Sequence, residues 1–301
     1  MKNILLTGAT SMIGVAIIKA ALKCEYSITC IVRKNSSRLN RLCGFENVKT
    51  VECDLKDYKN LNLEAVYDGF IHLAWDKTSV AGRDNVETQL DNIKYTLEAV
   101  KLAKRSGCKV FIGAGSQAEY GIQTAPLTPS TPVKPESGYG IAKFSAGKFS
   151  QLLCNQLNIR FNWLRILSAY GYGDGENTLI SYVINTLKKG ESPELTPCTQ
   201  IWDYIFCDDV AEAFLCVLKN GKDGKSYPLG SGNGRELTRY VEDIRDLTDK
   251  NIPLKFGAKP FYPHQPMYLV ADISELSADT GWLPKTSFKD GIQKILNAQK
   301  S

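Results

Sequence analysis

Short apolar runs alternate with longer stretches of helical periodicity through the first half of the chain. The apolar runs are 2–7, 27–32, 48–52, 69–74, 109–113 and 160–167, and the stretches with helical periodicity are 12–22, 85–104 and 139–156. Runs of this length without polar alternation are typical of strands that are buried on both faces. Strands that alternate with helices predict an α/β fold with a doubly wound parallel sheet.

The pattern changes after Tyr170. Glycine- and proline-containing loops at 171–175, 191–197 and 255–266 separate four helical stretches, 179–189, 208–218, 237–248 and 288–298, and two extended pieces, 202–207 and 227–229. This part is too broken to continue the sheet. We therefore expect a Rossmann-type domain at 1–170, to which 201–230 return. The remaining residues, 171–200 and 231–301, are expected to form a smaller C-terminal substrate-binding lid.

Composition narrows the class of protein only a little. The 301 residues carry a net charge of +5 without a basic run, which does not favour nucleic acid as a partner. No apolar run approaches the ~20 residues that span a bilayer, and the N-terminus does not resemble a signal peptide. The nine cysteines form no Cys-x-x-Cys pair, which favours reduced thiols in a cytoplasmic protein. Two histidines, His72 and His264, are too few for a histidine-based metal site.

A glycine-containing turn joins the first predicted strand to the first predicted helix. It reads Thr-Gly-Ala-Thr-Ser-Met-Ile-Gly at 7–14. Glycine allows the backbone to approach a pyrophosphate closely, and the helix N-terminus offers free N–H groups to it. In this strand–turn–helix context, the motif predicts a dinucleotide site, and a simple helix cap is the alternative.

The end of the second strand indicates which dinucleotide is bound. An acidic residue that would bind the ribose hydroxyls of NAD is missing there, and Arg33 stands in the sequence Ile-Val-Arg-Lys at 31–34. A guanidinium at this place would pair with a 2′-phosphate, with Ser36, Ser37 and Arg38 nearby. We therefore expect NADP (as NADPH) rather than NAD, although a solvated basic turn would look the same.

Tyr139 and Lys143 are spaced so that they share one face of a helix. A phenol titrates near pH ~10, and an adjacent ammonium would lower that pKa toward the working range of an acid or base. Many helices carry such a pair on a solvated face, so the pair gains its meaning only from the motifs around it.

The motifs together resemble the extended short-chain dehydrogenase/reductase family. They are the loop at 7–14, Asp54-Leu55, His72-Leu73-Ala74, Asn92, Ser116 in Gly-Ser-Gln-Ala-Glu-Tyr-Gly at 115–121, Tyr139-x-x-x-Lys143, and counterparts of two later motifs at 165–171 and 202–210. The resemblance covers nearly the whole chain. It implies an NADP-dependent oxidoreductase that acts on a nucleoside-diphosphate sugar.

The resemblance also implies the role of each site residue. Tyr139 would be the acid or base, Lys143 would lower its pKa and hold the nicotinamide ribose, and Ser116 would hydrogen-bond the substrate oxygen. The residues implied to contact the cofactor are Gly8, Thr10, Ser11, Met12, Ile13, Gly14, Arg33, Asp54, Leu55, Leu73, Ala74, Trp75, Asn92, Tyr139, Lys143 and Ile166. Those implied to contact the substrate are Trp75, Ser116, Gln117, Tyr139, Ser168 and Trp202.

The chain departs from the family pattern at three of these positions. Ser11 replaces the middle glycine of the loop, which is acceptable if its φ is negative. Ser168 stands where sugar-nucleotide epimerases usually have asparagine. Trp202 stands where many relatives have an arginine for the nucleotide phosphates, and Arg235 is a possible substitute. For Asn92 we expect either a bend in its helix or a water held near Lys143.

The residues after Ser116 reduce the number of possible reactions. The 4,6-dehydratases of the family carry Asp-Glu where this chain has Gln117 and Ala118, and an extended Glu119 would point to the other face. Enzymes similar to GDP-fucose synthase need a cysteine at the place of Ala118 and a later histidine, but no histidine lies between His72 and His264. Dehydration and double epimerisation are therefore not expected.

Two reactions need only hydride transfer and the Ser, Tyr and Lys side chains. They are reduction of a 4-keto sugar with NADPH and 4-epimerisation with NAD. Arg33 favours the reductase, and the stretch 257–272 resembles CDP-abequose and CDP-paratose synthases. A non-catalytic dinucleotide-binding sensor is a third possibility. Family resemblance also implies a homodimer formed through helices near 92–104 and 143–156, whose apolar faces could equally belong to the core.

Overall fold

The computed structural model describes residues 3–78, 82–262 and 265–299. The strands are β1 (Asn3–Thr7), β2 (Ser27–Val32), β3 (Val48–Glu52), β4 (Gly69–His72), β5 (Val110–Ser116), β6 (Arg160–Ile166), β7 (Ser168–Tyr170), β8 (Ile201–Trp202), β9 (Tyr204–Phe206), β10 (Lys225–Leu229), β11 (Arg235–Glu236) and β12 (Tyr268–Leu269). The α-helices are α1 (Met12–Lys23), α2 (Val86–Arg105), α3 (Gly138–Leu157), α4 (Leu179–Lys188), α5 (Cys207–Asn220), α6 (Leu237–Thr248), α7 (Ser274–Thr280) and α8 (Phe288–Ala298).

Seven parallel strands form the central sheet in the order β10-β6-β5-β4-β1-β2-β3. Side chains of β1 alternate between its two faces: Ile4 and Leu6 pack into one apolar cluster and Leu5 into another. Helices α1 and α5 pack together over the first cluster, and α2 and α3 pack together over the second. The predicted α/β fold with a doubly wound parallel sheet is confirmed.

The ends of β4 and β5, beside the predicted site residues, differ from the sequence-based prediction. The fourth strand was expected to reach residue 74, but β4 ends at His72, so Leu73 and Ala74 lie in the loop beyond it. The fifth strand was expected to end at 113, but β5 continues to Ser116. Glycines at 113 and 115 weakened the strand pattern, yet both positions are buried beside β6.

The expectation that the part after Tyr170 is too broken to continue the sheet is wrong at β10. This strand pairs with β6 and forms the edge of the sheet, where Pro228 is tolerated because an edge strand has no partner on its outer side. The remaining short strands form two small sheets, β7-β9 and β11-β8-β12. Helix α7 was missed because its seven residues are mostly polar or small. The predicted boundaries of the lid stay a prediction.

Two further observations bear on the class of protein. None of the helices in the described part of the chain is long and apolar enough to cross a membrane. Among the same residues, no group of three or more His, Cys, Asp or Glu side chains is arranged to hold a metal ion. Six of the nine cysteines are buried as free thiols, Cys30, Cys53, Cys108, Cys154, Cys198 and Cys207.

Candidate active site

The loop after β1 leaves space for an anion at the N-terminus of α1. Ser11 caps the helix: its hydroxyl accepts from the Gly14 N–H at 3.0 Å, and its own N–H donates to the Gly8 carbonyl at 3.0 Å. The φ of Ser11 is −76°, so a side chain is tolerated where relatives have glycine. A Cβ on Gly14 would lie 2.3 Å from the Gly8 carbonyl oxygen, so only glycine allows this packing. The predicted contacts Thr10, Met12 and Ile13 lie in the same turn and the first turn of α1.

This loop lies against the segment that follows β4. Gly8 has a φ of +70°, and a Cβ there would lie 2.9 Å from the Cβ of Leu73. The Thr7 hydroxyl accepts from the N–H groups of Leu73 and Ala74, both at 3.2 Å. The chain crosses over between β1 and β4, so the two segments form the crevice in which doubly wound folds bind dinucleotides.

Basic side chains lie on the β2 side of the crevice. Arg33 is exposed directly after β2 and has no acidic partner among the residues that the structure describes. The Arg41 guanidinium donates to the Thr10 carbonyl at 3.4 Å. Burial, and then the charge of Arg38, lowers the pKa of Arg41. Sequence analysis missed Arg41, because its only signal was its position three residues after Arg38.

The predicted adenine contacts lie on the same side of the crevice. Asp54 and Leu55 follow β3 and begin a short 3₁₀ turn at 55–60. The Asp54 carboxylate accepts from the Lys34 N–H at 3.1 Å, so it also fixes the backbone just after Arg33.

The predicted catalytic side chains meet at the ends of β4 and β5. Ser116 ends β5, Tyr139 and Lys143 lie on the first turns of α3, and all three are at least nine-tenths buried. The Lys143 ammonium donates to the Ala114 carbonyl at 2.7 Å and lies 3.8 Å from the centroid of the Trp75 ring. Ile166, another predicted cofactor contact, ends β6 beside Ser116.

Burial is the largest influence on the pKa values of Lys143 and Tyr139. Burial lowers the pKa of Lys143 to about 7, and the charge of Glu119 opposes that change. Burial raises the pKa of Tyr139, while a hydrogen bond from Ser116 and the charge of Arg83 lower it. The Lys143 ammonium lies 5.8 Å from the Tyr139 ring centroid and is directed at Ala114 and Trp75, and its expected effect on the pKa of Tyr139 stays a prediction.

Arg83 is a second residue that sequence analysis missed. Its guanidinium lies 5.0 Å from the centroid of the Tyr139 ring, and its Nε donates to the Thr78 carbonyl at 3.2 Å. The next residue, Asp84, accepts from the Gly138 N–H at 2.7 Å and so attaches this loop to the start of α3. No motif marked Arg83, because only the packing of the loop on α3 places it beside Tyr139.

Asn92 is bonded to the loop after β4. Its Oδ1 accepts from the Asp76 N–H at 2.9 Å, and its Nδ2 donates to the Asp76 carbonyl at 3.0 Å. Trp75, the neighbour of Asp76, donates from Nε1 to the Gln89 side chain at 2.9 Å. Asn92 and Gln89 thus position the segment that carries Trp75, and the expected bend of the helix or water near Lys143 stays a prediction.

The turn after Ser116 keeps its only carboxylate away from the crevice. Residues 117–119 form a 3₁₀ turn rather than an extended segment, with Gln117 half-buried at its start. Glu119 is completely buried and forms an ion pair with Arg165 at 2.8 Å. Glu119 is therefore directed inward by the turn and not by an extended backbone, and the described residues 117–119 offer no carboxylate to the crevice in place of the Asp-Glu pair of a dehydratase.

The predicted substrate residues Ser168 and Trp202 contact each other. The Trp202 Nε1 donates to the Ser168 hydroxyl at 2.7 Å. Arg235 pairs with Trp202 across β11 and β8, but its guanidinium forms an ion pair with Asp243 at 2.9 Å. Arg235 is therefore not a free substitute for the missing phosphate arginine. His264, one of the two histidines of the chain, lies outside the described residues.

The fold, the glycine loop at the strand crossover and the Ser, Tyr and Lys set define a dinucleotide-binding Rossmann protein with the groups for proton transfer. The sequence pattern of the NAD dependent epimerase/dehydratase family matches residues 4–230. The chain belongs to this family of nicotinamide-dinucleotide-dependent enzymes, which confirms the resemblance found in the sequence. The roles of the individual site residues stay predictions.

Two curated relatives and one solved structure illustrate the range of similar proteins. CDP-abequose synthase of Salmonella typhimurium is 29% identical over 97% of each chain. A dTDP-4-dehydro-6-deoxyglucose reductase of Escherichia coli is 26% identical over 76% of this chain and 73% of the relative. The structure of UDP-glucuronic acid 4-epimerase from Bacillus cereus, with UDP-glucuronic acid and NAD, is 20% identical, has a TM-score of 0.87 and covers 99% of both chains.

Proposed function

We propose that this enzyme reduces the C4 keto group of a nucleoside-diphosphate 4-keto-6-deoxy sugar with NADPH. The observation that carries the proposal is the composition of the site: Ser116, Tyr139 and Lys143 lie together at the ends of β4 and β5, and Glu119 is withdrawn into an ion pair. Hydride transfer needs only such a set, whereas dehydration needs a carboxylate beside the substrate. One of the two curated relatives is named CDP-abequose synthase, and the other is named as a reductase of a dTDP-linked 4-dehydro-6-deoxy sugar.

The residues of the loop fit a dinucleotide. Glycines at 8 and 14 leave room that a Cβ would fill, and Ser11 keeps the N-terminus of α1 open beside them. When bound, the reduced nicotinamide supplies the hydride that attacks C4. All other steps belong to side chains of this chain.

Ser116 and Tyr139 handle the substrate oxygen. The Ser116 hydroxyl accepts from the Ala118 N–H at 3.2 Å, so its own proton points away from the turn. That proton is directed to the Tyr139 hydroxyl, and the C4 carbonyl oxygen would accept it when the substrate binds between the two side chains. Tyr139 gives its proton to that oxygen as the hydride arrives, and the product is an alcohol. Burial raises the pKa of Tyr139, which keeps the phenol protonated at neutral pH, and this is the form that a reduction consumes.

The basic residues near the loop favour NADPH over NADH. Arg33, Arg38 and Arg41 place positive charge beside the β2 end of the crevice, where a 2′-phosphate would lie. We expect the wild-type protein to bind NADPH at least about tenfold more tightly than NADH, since one charge-assisted hydrogen bond is worth about that factor.

Arg33→Gln tests this preference. It is expected to weaken NADPH binding about tenfold and to leave NADH binding within about threefold, measured by fluorescence titration. Arg239→Gln, which removes an exposed arginine on α6, is the matched control. A clear preference of the wild type for NADH would contradict the NADPH proposal.

A 4-epimerase with NAD is the second candidate. It uses the same three side chains, and the Bacillus cereus structure pairs this fold with NAD and a UDP-sugar. A panel of nucleotide 4-keto sugars, followed by the absorbance of NADPH, distinguishes the two activities. Turnover that consumes NADPH supports the reductase, and interconversion of sugars without net cofactor use supports the epimerase. Binding of the dinucleotide without either reaction supports a non-catalytic dinucleotide-binding sensor.

We also propose that the enzyme is a cytoplasmic homodimer. Exposed apolar side chains lie on one face of α3, at Ile141, Phe149 and Leu152. On α2 they are Val86 and Leu90, which precede the predicted segment 92–104. Helices α2 and α3 pack side by side, so a second copy of this chain would cover both faces at once.

A further inference from the structure

A buried carboxylate lies directly behind the predicted catalytic serine. Glu119 Oε1 accepts from the Ser116 N–H at 2.8 Å and from Trp163 Nε1 at 2.9 Å, and Oε2 accepts from Arg165 Nε at 2.8 Å. Glu119 has no exposed surface, and the Arg165 side chain is 6% exposed. Removing such a charge from water is costly, so the arrangement needs all three of these donors.

The surrounding residues leave the space that this network needs. A Cβ on Gly115 would lie 2.5 Å from Glu119 Oε1 and 2.3 Å from Trp163 Nε1. Gly113 and Gly147 admit the Trp163 ring in the same way. Glycine at three positions on β5 and α3 therefore allows the indole and the carboxylate to reach the end of β5.

The hydrogen bonds of Glu119 determine the orientation of Ser116. Glu119 closes a capping box with Ser116: the serine hydroxyl accepts from the turn, and the glutamate accepts from the serine N–H. This fixes the backbone at the last residue of β5 and leaves the serine O–H proton directed away from the turn. A hydrogen bond from the Ser116 hydroxyl lowers the pKa of Tyr139, so the orientation of this hydroxyl affects the proposed acid directly.

Glu119 and the Lys143 ammonium lie around the same indole: the ammonium is 5.9 Å from the Trp163 ring centroid, and the Trp163 Nε1 donates to Glu119. The titratable and charged groups around Lys143 are His72 on β4, Tyr139 on α3, Glu119, and Arg165 on β6 behind Glu119. Burial lowers the pKa of His72 to about 3, so His72 is neutral. The carboxylate is therefore the group that offsets the cost of holding Lys143 as a cation.

We infer that Glu119 is a positioning residue for the reductase: its buried carboxylate fixes Ser116 and keeps Lys143 charged. This inference rests on the proposed function for its catalytic meaning, but its physical content can be tested without substrate. Lys143 lies against Trp75, so protonation of the amine changes the environment of that indole.

The test is a pH titration of Trp75 fluorescence, taken as the difference between each protein and its Trp75→Phe counterpart. The wild type is expected to show a midpoint near pH 7, from the pKa of about 7 for Lys143, and Lys143→Met is expected to show none. Glu119→Gln keeps the acceptor for Ser116 and Trp163 but loses the charge. Its midpoint should fall by about 1 pH unit or more.

A second variant covers the case in which Glu119→Gln does not fold. Glu119→Gln combined with Arg165→Met leaves no unpaired buried charge, and its midpoint should also lie below that of the wild type. With NADPH and a 4-keto sugar, the pH above which turnover falls should move down in parallel. An unchanged midpoint in the variant that folds would overturn the inference, whereas a wild type that titrates as expected but reduces no sugar would overturn only the proposed function.

Discussion

At the scale of single residues, the environment of Tyr139 decides what its phenol can do. Burial raises the pKa of Tyr139, and Ser116 and Arg83 oppose that change. Trp75 packs edge-on against the Tyr139 ring, with centroids 5.9 Å apart. The side chain is thus held in place by contacts that do not involve its hydroxyl, so the hydroxyl can be removed without loss of the ring packing.

Tyr139→Phe should lower turnover without a matching loss of NADPH affinity. We expect turnover to fall by about 10²–10⁴-fold, the usual contribution of a positioned acid, because the ring stays and only the proton donor is lost. NADPH affinity should stay within about threefold, since Tyr139 contributes a proton and not a charge. Stopped-flow rates and fluorescence titration provide the two numbers.

Tyr26→Phe is the matched control, because Tyr26 is half-buried just before the start of β2, at the end of the strand opposite the site. It should keep full activity. A Tyr139→Phe protein that retains more than a tenth of wild-type turnover would show that another group donates the proton.

At the scale of elements, the junction of β1 and α1 depends on one close contact. The Gly14 backbone lies so near the preceding turn that an added Cβ would meet Gly8 O, Ala9 Cα and Ala9 O, all within 2.7 Å. These are backbone atoms, which cannot rotate away as a side chain can. A change at this position must therefore move either the helix or the phosphate loop.

Gly14→Ala should therefore weaken both folding and cofactor binding. We expect a loss of about 1–3 kcal/mol in the free energy of unfolding, as for other overpacked sites, and at least a tenfold weaker NADPH complex. Denaturant unfolding and fluorescence titration measure the two effects.

Gly175→Ala provides the comparison, because a Cβ there would meet only Thr178 Cγ2 at 3.7 Å, an ordinary contact. It should bind NADPH like the wild type. Equal affinity for NADPH in the Gly14 and Gly175 variants would mean that the loop near Gly14 does not hold the pyrophosphate.

At the scale of the whole molecule, the helices on the two faces of the central sheet differ in how much apolar surface they expose. Helix α5 packs against α7 as well as α1, whereas α3 keeps apolar side chains on its outer surface. Phe149 and Leu152 are 53% and 59% exposed. Exposed apolar residues grouped on one helix face are typical of an interface between subunits.

Leu152→Glu should convert the proposed homodimer into a monomer. A charge at the centre of an apolar interface is expected to weaken association at least about tenfold. Light scattering across a concentration series measures the mass. Leu283→Glu is the control, since Leu283 is 60% exposed on the segment between α7 and α8 and should leave the mass unchanged. A wild-type protein that is monomeric at all concentrations would refute the dimer.

Local sequence patterns were sufficient to predict the central strands and the first helix, which depend on the residues of a single segment. The central strands were predicted because a strand buried on both faces must be apolar, and α1 because residues 12–22 show helical periodicity. The strand β10 was not recognised as part of the sheet, because its pairing with β6 joins segments about 60 residues apart and Pro228 weakened its pattern. Its membership depends on a partner that no local window contains.

The sequence by itself determined the chemical groups of the site, because Thr7–Gly14, Ser116, Tyr139 and Lys143 follow strands or begin helices that the pattern already defines. Only the tertiary structure decided how those groups are charged and held. The Lys143 ammonium faces Trp75 rather than Tyr139, Arg83 approaches Tyr139 from a distant loop, and Glu119 turns inward to Arg165. Electrostatic effects depend on distance and burial in space, and spacing along the chain specifies neither.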